Sequence, residues 1–183
     1  MAGHSIASGS RVVLRTLESE DLAFKGRGVS EPALRIPMGN PIQSREQLSV
    51  PDSPDSEQFI VTLEAGPLLE SLELDEERRI GLTSVSDGSE KRPEIGYWLL
   101  PAVHGHGLGT EAVSLLLSSV FSRYDAPTVG AQAFANNDAS RALLESLGFE
   151  KEGQRRNFAF VDGEYRDLVC YGLDRSVWQS STP

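Results

Sequence analysis

Three glycines alternate with other residues between positions 104 and 110, where the chain reads His-Gly-His-Gly-Leu-Gly-Thr. Because Gly105, Gly107 and Gly109 carry no Cβ atom, the backbone of this glycine loop can take positive φ angles and bring its N–H groups close to a bulky anion. An apolar run, 95–100, precedes the loop, and a helical stretch, 110–124, follows it. The start of such a helix adds unpaired amides and about half a positive charge. The pattern predicts a pyrophosphate site that uses no lysine.

Two common phosphate-binding motifs do not fit the glycine loop. A P-loop has Gly-Lys-Ser/Thr where its helix starts, whereas this chain has Gly109, Thr110 and Glu111. A dinucleotide-binding fingerprint has the spacing G-x-G-x-x-G, whereas these glycines follow G-x-G-x-G. A nucleotide-binding module remains one alternative interpretation. A tight turn that binds no ligand and leads into an ordinary helix is another.

The glycine loop resembles the acyl-CoA pyrophosphate loop of the GNAT N-acetyltransferase superfamily, whose pattern is Gln/Arg-x-x-Gly-x-Gly/Ala. His104 takes the Gln/Arg position, and Gly107 and Gly109 take the two later positions. Flanking segments follow the order of the RimJ/RimL-like branch: Glu-Ile-Gly-Tyr-Trp-Leu at 94–99, Thr-Glu-Ala at 110–112, Asn-Asn-Asp-Ala-Ser-Arg at 136–141 and Leu-Leu-Glu-Ser-Leu-Gly-Phe at 143–149. The resemblance extends from Arg11 to Trp178.

The resemblance implies an acetyl-CoA-dependent N-acetyltransferase that transfers an acetyl group to a primary amine by direct attack in a ternary complex. The acceptor would be a protein N-terminus or a small-molecule amine. A second interpretation is a catalytically weak acyl-CoA-binding regulatory protein of the same fold, because Leu144 stands where many members have a tyrosine that protonates the leaving thiolate. The implied acetyl-CoA contacts are Trp98, Leu99, Leu100, His104, Gly105, His106, Gly107, Leu108, Gly109, Thr110, Asn137 and Ser140.

Glu94 and Ser140 are the predicted catalytic residues. Glu94 opens the strand expected to face the thioester and would take a proton from the amine, directly or through water. Its alternative role is that of a solvated carboxylate at a strand end. The resemblance implies that Ser140, or a water held by Ser140 and Asn137, replaces the missing tyrosine, although both residues would also serve as helix caps. Three acidic residues of the last predicted hairpin are rival bases: Asp162, Glu164 and Asp167.

The elements that must position these residues alternate between strands and helices. Strands are predicted at 11–17, 58–63, 79–85, 94–100 and 129–135, helices at 18–26, 110–124 and 139–147, a turn at Asp87-Gly88-Ser89, and a hairpin of 149–160 with 166–173. The order predicts a mixed α/β (α+β) fold. The resemblance implies a GNAT-type, mostly antiparallel central sheet with splayed strands, flanked by helices.

The resemblance also assigns roles to particular segments. Strand 94–100 would carry a bulge and separate from its neighbour, leaving the amides of Trp98, Leu99 and Leu100 free for the thioester oxygen and the pantetheine arm. The proline-rich segment 27–55 would be the variable helical region that covers the acceptor. Four leucines of an acidic segment would fold onto the body or form a dimer contact: Leu68, Leu69, Leu72 and Leu74.

Length and composition restrict the class of protein. A chain of 183 residues fits one domain, 1–183, of which 1–10 is expected to be flexible. The net charge of −10 argues against nucleic-acid and anionic-membrane partners. No apolar run reaches the roughly 20 residues that span a bilayer. With no secretory pattern at the N-terminus, a cytoplasmic protein is expected, as monomer or homodimer.

A metal site is not expected from this sequence. His104 and His106 form an H-x-H pair, but no third and fourth ligand stand in sequence relation to them. The single cysteine, Cys170, lies in a strand-like run and is interpreted as a small buried residue rather than a nucleophile. The histidines are better suited to contact phosphate.

Overall fold

An eight-stranded sheet forms the centre of the molecule. The computed structural model describes residues 3–39, 43–53, 55–86 and 92–181. The strands are β1 Ser5–Ser8, β2 Val12–Thr16, β3 Ser56–Leu63, β4 Arg79–Ser86, β5 Glu94–Leu99, β6 Thr128–Phe134, β7 Glu150–Val161 and β8 Glu164–Asp174, in the spatial order β1-β2-β3-β4-β5-β6-β8-β7. Among the described strands, only β5 and β6 pair in parallel. The predicted mixed, mostly antiparallel sheet is confirmed.

Helices cover both faces of the sheet. They are α1 Leu22–Ser30, α2 Pro32–Met38, α3 Leu68–Ser71, α4 Leu108–Arg123, α5 Asp138–Ser146 and α6 Arg175–Ser181. The main core joins one sheet face to α4 and to Leu144 of α5. A smaller core on the other face packs Phe24 of α1 and Leu34 of α2 against Trp98. A ligand between β5 and β6 would therefore meet a different helix pair on each face.

The sheet divides between β5 and β6. These strands pair only at Glu94 with Gly130 and at Ile95 with Ala131. Beyond that point β5 stays paired with β4 as far as Leu99, and β6 stays paired with β8 as far as Phe134. The predicted splayed strands are confirmed, but β5 keeps an unbroken register with β4 and has no bulge. The opening arises because each half of the sheet follows its own antiparallel partner.

Several boundaries differ from the sequence predictions. Ser5–Ser8, inside the N-terminal segment expected to be flexible, pairs with β2, because the backbone groups of β2 offer it an open edge. The first helix runs to Ser30 instead of 26, since Gly28 lets it approach Trp98 so closely that a Cβ there would lie 2.1 Å from the indole. The turn predicted at Asp87-Gly88-Ser89 lies outside the described residues. The four leucines of 68–74 pack against the main core.

Candidate active site

A cavity of about 950 Å³ passes through the opening between β5 and β6. Its walls come from both faces of the sheet. One end is lined by the glycine loop and the start of α4, and further wall comes from α2 and from Phe158 of β7. Ten of the twelve predicted acetyl-CoA contacts line this cavity, and Leu100 and His106 do not: the ten are Trp98, Leu99, His104, Gly105, Gly107, Leu108, Gly109, Thr110, Asn137 and Ser140.

The glycine loop has the backbone that its glycines predict. Gly105 and Gly107 take φ angles of 78° and 74°, in the left-handed region that favours glycine. Gly107 is the N-cap of α4, which begins at Leu108, two residues before the predicted start. The amides of Leu108, Gly109 and Thr110 therefore belong to the first helical turn, where N–H groups have no intrahelical acceptor. The loop thus offers amides and the positive end of the helix dipole to an anion at the cavity end.

Arg11 supports the glycine loop from outside the predicted motif. Its Nε atom lies 2.8 Å from Glu111 Oε2, and its Nη1 donates to the carbonyl oxygen of His106 at 2.8 Å. Burial acts to raise the pKa of Glu111, but hydrogen bonds from Arg11 and Val12 hold it below its usual value. Arg11 thereby ties the start of β2 to the start of α4 and places a positive charge beside the loop. Its position 95 residues before His106 leaves no local sequence signal.

The two loop histidines are used differently. His104 Nε2 lies 2.8 Å from the carbonyl oxygen of Leu99, and His104 lines the cavity. This contact satisfies a carbonyl that the separation of β5 from β6 leaves without a strand partner. His106 is exposed and contributes its carbonyl oxygen to Arg11. Because His104 lines the cavity and His106 does not, His104 is the better placed of the two for the predicted phosphate contact.

The amides of β5 correct part of the predicted thioester site. The amide of Leu100 donates to the carbonyl oxygen of Ile80 at 2.7 Å, so it is already used within the sheet. Successive residues of a strand direct their N–H groups to opposite sides, and so the amide of Trp98 also faces β4. The amides of Tyr97 and Leu99 face the opening instead. Of the three predicted amides, only that of Leu99 is available. The amide of Tyr97 was not predicted, because the direction of each N–H group depends on how β5 pairs with β4.

Tyr97 and Ser140 form a polar pair inside the cavity. The Tyr97 hydroxyl lies 2.9 Å from Ser140 Oγ and 3.2 Å from the carbonyl oxygen of Ser140. Burial raises the pKa of Tyr97 to about 12, although the hydrogen bond to Ser140 opposes this shift. Asn137 caps α5, because its side chain accepts a hydrogen bond from the Ser140 amide at 3.2 Å. Leu144, at the position of the usual tyrosine, is fully buried in the main core.

Glu94 lies where β5 and β6 are still paired, outside the cavity lining. Its Oε1 lies 2.9 Å from Arg92 Nη2, and its Oε2 accepts a hydrogen bond from Gln132 at 3.4 Å. Leu99 is five residues further along the strand, or roughly 16 Å at the rise of an extended chain. The direct base role predicted for Glu94 is therefore not supported by this geometry. Gln132, which lines the cavity, is its link to the site.

The rival acids of the last hairpin also lie outside the cavity lining. Asp162 and Glu164 flank the exposed turn, and Glu164 pairs with Arg166 at 3.0 Å. Asp167 accepts hydrogen bonds from the Asn157 amide and from Gln154 Nε2, both at 2.8 Å. The Asn157 bond is the main reason why the pKa of Asp167 is lowered. Through these contacts Asp167 of β8 stabilises the backbone of β7 around Asn157.

The cavity wall carries no carboxylate, ammonium or guanidinium group among the described residues. Among the described residues that line it there is no Asp, Glu, Lys or Arg, and its titratable side chains are those of Tyr97 and His104. In the ranges that the structure describes, no group of three or more His, Cys, Asp or Glu is arranged to hold a metal ion. Nor does any described helix have the length and apolar character needed to cross a membrane. The site is thus an amide-rich loop joined to a neutral, mainly apolar pocket.

In this site a glycine loop at a helix start, which suits an anion, opens into a neutral pocket between divided strands. A family model described as an acetyltransferase (GNAT) domain matches residues 11–150. The chain therefore belongs to the GNAT acetyltransferase family, as the glycine loop and its flanking segments predicted.

Individual relatives agree with this assignment. Over 93 residues the chain is 34% identical to a putative ribosomal N-acetyltransferase of Bacillus subtilis, with 51% of each chain covered. Over 107 residues it is 31% identical to the ribosomal protein uS5-alanine N-acetyltransferase of Escherichia coli, covering 57% of this chain and 55% of that enzyme. The chain thus spans about half the length of these curated relatives. Relatives named for ribosomal proteins support the predicted RimJ/RimL-like branch.

A solved structure shares the fold over nearly the whole chain. The crystal structure of spermidine N-acetyltransferase from Vibrio cholerae, in complex with CoA and spermine, superposes with a TM-score of 0.81. The match covers 93% of this chain and 99% of that chain at 18% sequence identity. At this identity the likeness concerns the fold alone.

Proposed function

We propose that the protein is an acetyl-CoA-dependent N-acetyltransferase whose acceptor is a peptide N-terminus. The observation that carries this proposal is the single cavity that joins the glycine loop to the pocket beneath α2 through the opening between β5 and β6. A carrier diphosphate held by the loop would direct its acyl arm into that opening. The acceptor would enter from the side of α2 and Phe158, and both substrates would be bound at once.

The neutral cavity wall favours an α-amine as the acceptor. An alkyl ammonium with a pKa of ~10.4 needs about 4.6 kcal/mol to lose its proton at pH 7, whereas an α-ammonium with a pKa of ~7.8 needs only about 1 kcal/mol. A site for alkyl amines therefore requires a strong base or an acidic subsite. No carboxylate lines the cavity within the described part of the chain. Small uncharged residues at the peptide N-terminus suit walls made by Ala33, Pro37 and Phe134.

Direct attack would use the backbone more than side chains. The neutral nitrogen attacks the thioester carbonyl carbon, the C–S bond breaks, and the proton released by nitrogen passes to the thiolate or to solvent. The amides of Tyr97 and Leu99 would donate to the oxygen on which negative charge develops. One such donor is worth about 3 kcal/mol of barrier in a site that excludes water. His104 supports this device indirectly, because it holds the carbonyl oxygen of Leu99 and so fixes the peptide that follows this donor.

Tyr97 and Ser140 would stabilise the leaving sulfur by a hydrogen bond. A thiol has a pKa of ~8.5, whereas that of Tyr97 is raised to about 12. The two pKa values differ by about 3.5, so full proton transfer from this phenol to the thiolate is unfavourable by roughly 5 kcal/mol. In our scheme Tyr97 donates to Ser140 and the Ser140 hydroxyl donates to sulfur. Glu94 would act as a base only through water.

A catalytically weak acyl-CoA-binding regulator is the second candidate, because Leu144 removes the usual acid and is buried in the core. Thiol release from acetyl-CoA separates the two functions. It is measured at pH 7 to 9 with three acceptors: a C-terminally amidated peptide that begins with alanine, spermidine, and Nα-acetyl-lysine. We expect turnover of the peptide, with weak turnover of the alkyl amines. CoA binding without thiol release for any acceptor supports the regulator, and displacement of CoA by NAD or ATP supports a nucleotide-binding module.

A further inference from the structure

A bulge in β7 carries one aromatic ring into the cavity wall. Arg155 pairs with Leu168 of β8, and Ala159 pairs with Arg166. Between these two pairs β7 advances by four residues, whereas β8 advances by only two. The bulged segment is 155–159. Asn157 within it has a φ of 47°, and its amide donates to Asp167 Oδ1 at 2.8 Å. Phe158, the next residue, lines the cavity and stays 49% exposed, as expected at a rim rather than in a core.

Arg155 lies over this ring. Its guanidinium carbon is 5.5 Å from the centroid of Phe158, within the range of a cation–π contact. Leu168, which faces Arg155 across the strands, also lines the cavity. Across the described ranges Arg155 forms no ion pair, unlike Arg166, which pairs with Glu164. The rim of the cavity thus presents a guanidinium whose hydrogen-bond donors are available to a ligand.

We propose that Arg155, held over Phe158 by the bulge of β7, selects peptide acceptors that carry Asp or Glu among their first residues. This inference rests on the proposed function, since it concerns the acceptor of the same site. The N-terminal residue would occupy the neutral pocket, and the following residues would cross the rim. A guanidinium binds a carboxylate through two parallel hydrogen bonds and is therefore suited to a side chain that emerges there.

Charge complementarity is the reason for choosing an acidic peptide. The chain as a whole has a net charge of −10 and repels acidic ligands at long range. The preference must therefore come from a local contact, which Arg155 beside Phe158 supplies. A basic peptide would place its charge against this guanidinium. The net negative charge of the chain attracts basic peptides at long range, but Arg155 would repel them at the rim of the cavity.

The test compares kcat/KM for two amidated peptides, Ala-Glu-Ala-Ala-Ala and Ala-Gln-Ala-Ala-Ala, and for a second pair with the change at the third position. We expect the wild-type protein to prefer the acidic member of at least one pair by about two- to fivefold, the range of a partly exposed ion pair. Arg155→Gln should bring this ratio close to one, and Arg155→Glu should invert it. Arg155→Lys should retain part of the preference. High salt should reduce it.

Arg156→Gln is the matched control, because it removes the same charge from the adjacent residue. Of these two arginines, it is Arg155 that lies over the Phe158 ring. It should keep the acidic preference. Equal rates for both members of each pair in the wild-type protein would overturn the inference while leaving the N-acetyltransferase proposal intact. An unchanged ratio in Arg155→Gln would do the same. Failure to acetylate any peptide would instead refute the proposed function, and the inference with it.

Discussion

At the scale of single residues, Gly107 is the sharpest test of the phosphate site. Its φ of 74° and its place as N-cap of α4 put its backbone beside the amides proposed to bind the diphosphate. Gly107→Ala places a methyl group 3.5 Å from Arg11 Nη2, beside the first-turn amides, and should weaken CoA binding about tenfold, measured by calorimetry. A left-handed alanine also costs about 1 kcal/mol of folding free energy. A loss of stability without a loss of CoA affinity would contradict the assigned loop.

Gly163→Ala is the matched control for that experiment. Gly163 has a similar φ of 83°, and a Cβ built there meets nothing within 4 Å. Both variants should therefore lose similar stability in urea, while only the change at Gly107 alters CoA affinity. Equal effects on CoA binding would mean that strain, and not contact with the ligand, explains the loss.

The hydroxyl of Tyr97 gives a second prediction. Tyr97→Phe keeps the packing of the ring but removes the hydrogen bonds to Ser140. We expect kcat to fall about tenfold, with little change in KM for acetyl-CoA, because the hydrogen bond that orients the Ser140 hydroxyl towards the leaving sulfur is lost. Since burial raises the pKa of Tyr97 to about 12, the phenol stays protonated over the assay range. The pH profile of kcat between pH 7 and 9 should keep its shape, and a displaced alkaline limb would show that Tyr97 transfers its proton.

The residues of the site differ in how far the sequence predicts them. The glycine loop and the cap of α5 at Asn137 depend on local spacing, and for that reason the sequence identifies them. Arg11 reaches the loop only because β2 lies beside α4 in the folded chain. The amides of Tyr97 and Leu99 face the opening because of how β5 pairs with β4, which the apolar pattern of 94–100 does not reveal. Predicting these residues requires the sheet order.

At the scale of elements, the bulge of β7 is expected to control acceptor binding. Asp167 holds it through the Asn157 amide and Gln154 Nε2. Asp167→Asn replaces a charged acceptor by a weaker neutral one and should loosen the segment that carries Phe158. We expect KM for a peptide acceptor to rise severalfold while CoA affinity stays unchanged, measured by steady-state kinetics and calorimetry. Asp162→Asn, in the exposed turn of the same hairpin, is the control and should leave both values unchanged.

The segment 27–55, which we propose covers the acceptor, contains a short helix, as the resemblance implied. Two of its prolines, Pro32 and Pro37, lie within α2. Pro32 stands in the first turn of the helix, where no intrahelical bond needs its N–H, and Pro37 lies one residue from the C-terminal end. Glu31 caps the helix by accepting from the Ala33 amide. Proline therefore limits α2 to seven residues instead of preventing it.

At the scale of the whole molecule, a buried ion network joins parts of the chain that are distant in sequence. Asp21 has no exposed surface and lies 2.7 and 2.8 Å from Arg15 and 3.0 Å from Arg79. Glu77 also pairs with Arg15, and Asp75 pairs with Arg79 at 2.8 Å. The network links β2, the start of α1 and β4 on the sheet face that carries α1 and α2. Its integrity should therefore affect the global stability of the protein.

Asp21→Asn tests this network through the dependence of stability on pH. Burial acts to raise the pKa of Asp21, but hydrogen bonds from Arg15, Arg79 and the Glu18 amide hold it below 3.8. A folded pKa below the unfolded one means that the stabilisation is complete above about pH 4 and is lost as pH falls through the folded value. We expect Asp21→Asn to lower the free energy of unfolding at pH 7 by about 3 to 5 kcal/mol, because it leaves buried arginines without their partner.

The difference between Asp21→Asn and the wild-type protein should shrink below pH 4, as the wild-type carboxylate itself becomes protonated. Urea unfolding at pH 7, 5 and 3 measures both quantities. Asp138→Asn is the control, because that carboxylate is 90% exposed and its pairing with Arg141 at 3.4 Å should contribute less than about 0.5 kcal/mol. If both variants lost the same small amount, the network would be a consequence of the fold and not one of the interactions that hold β2, β4 and α1 together.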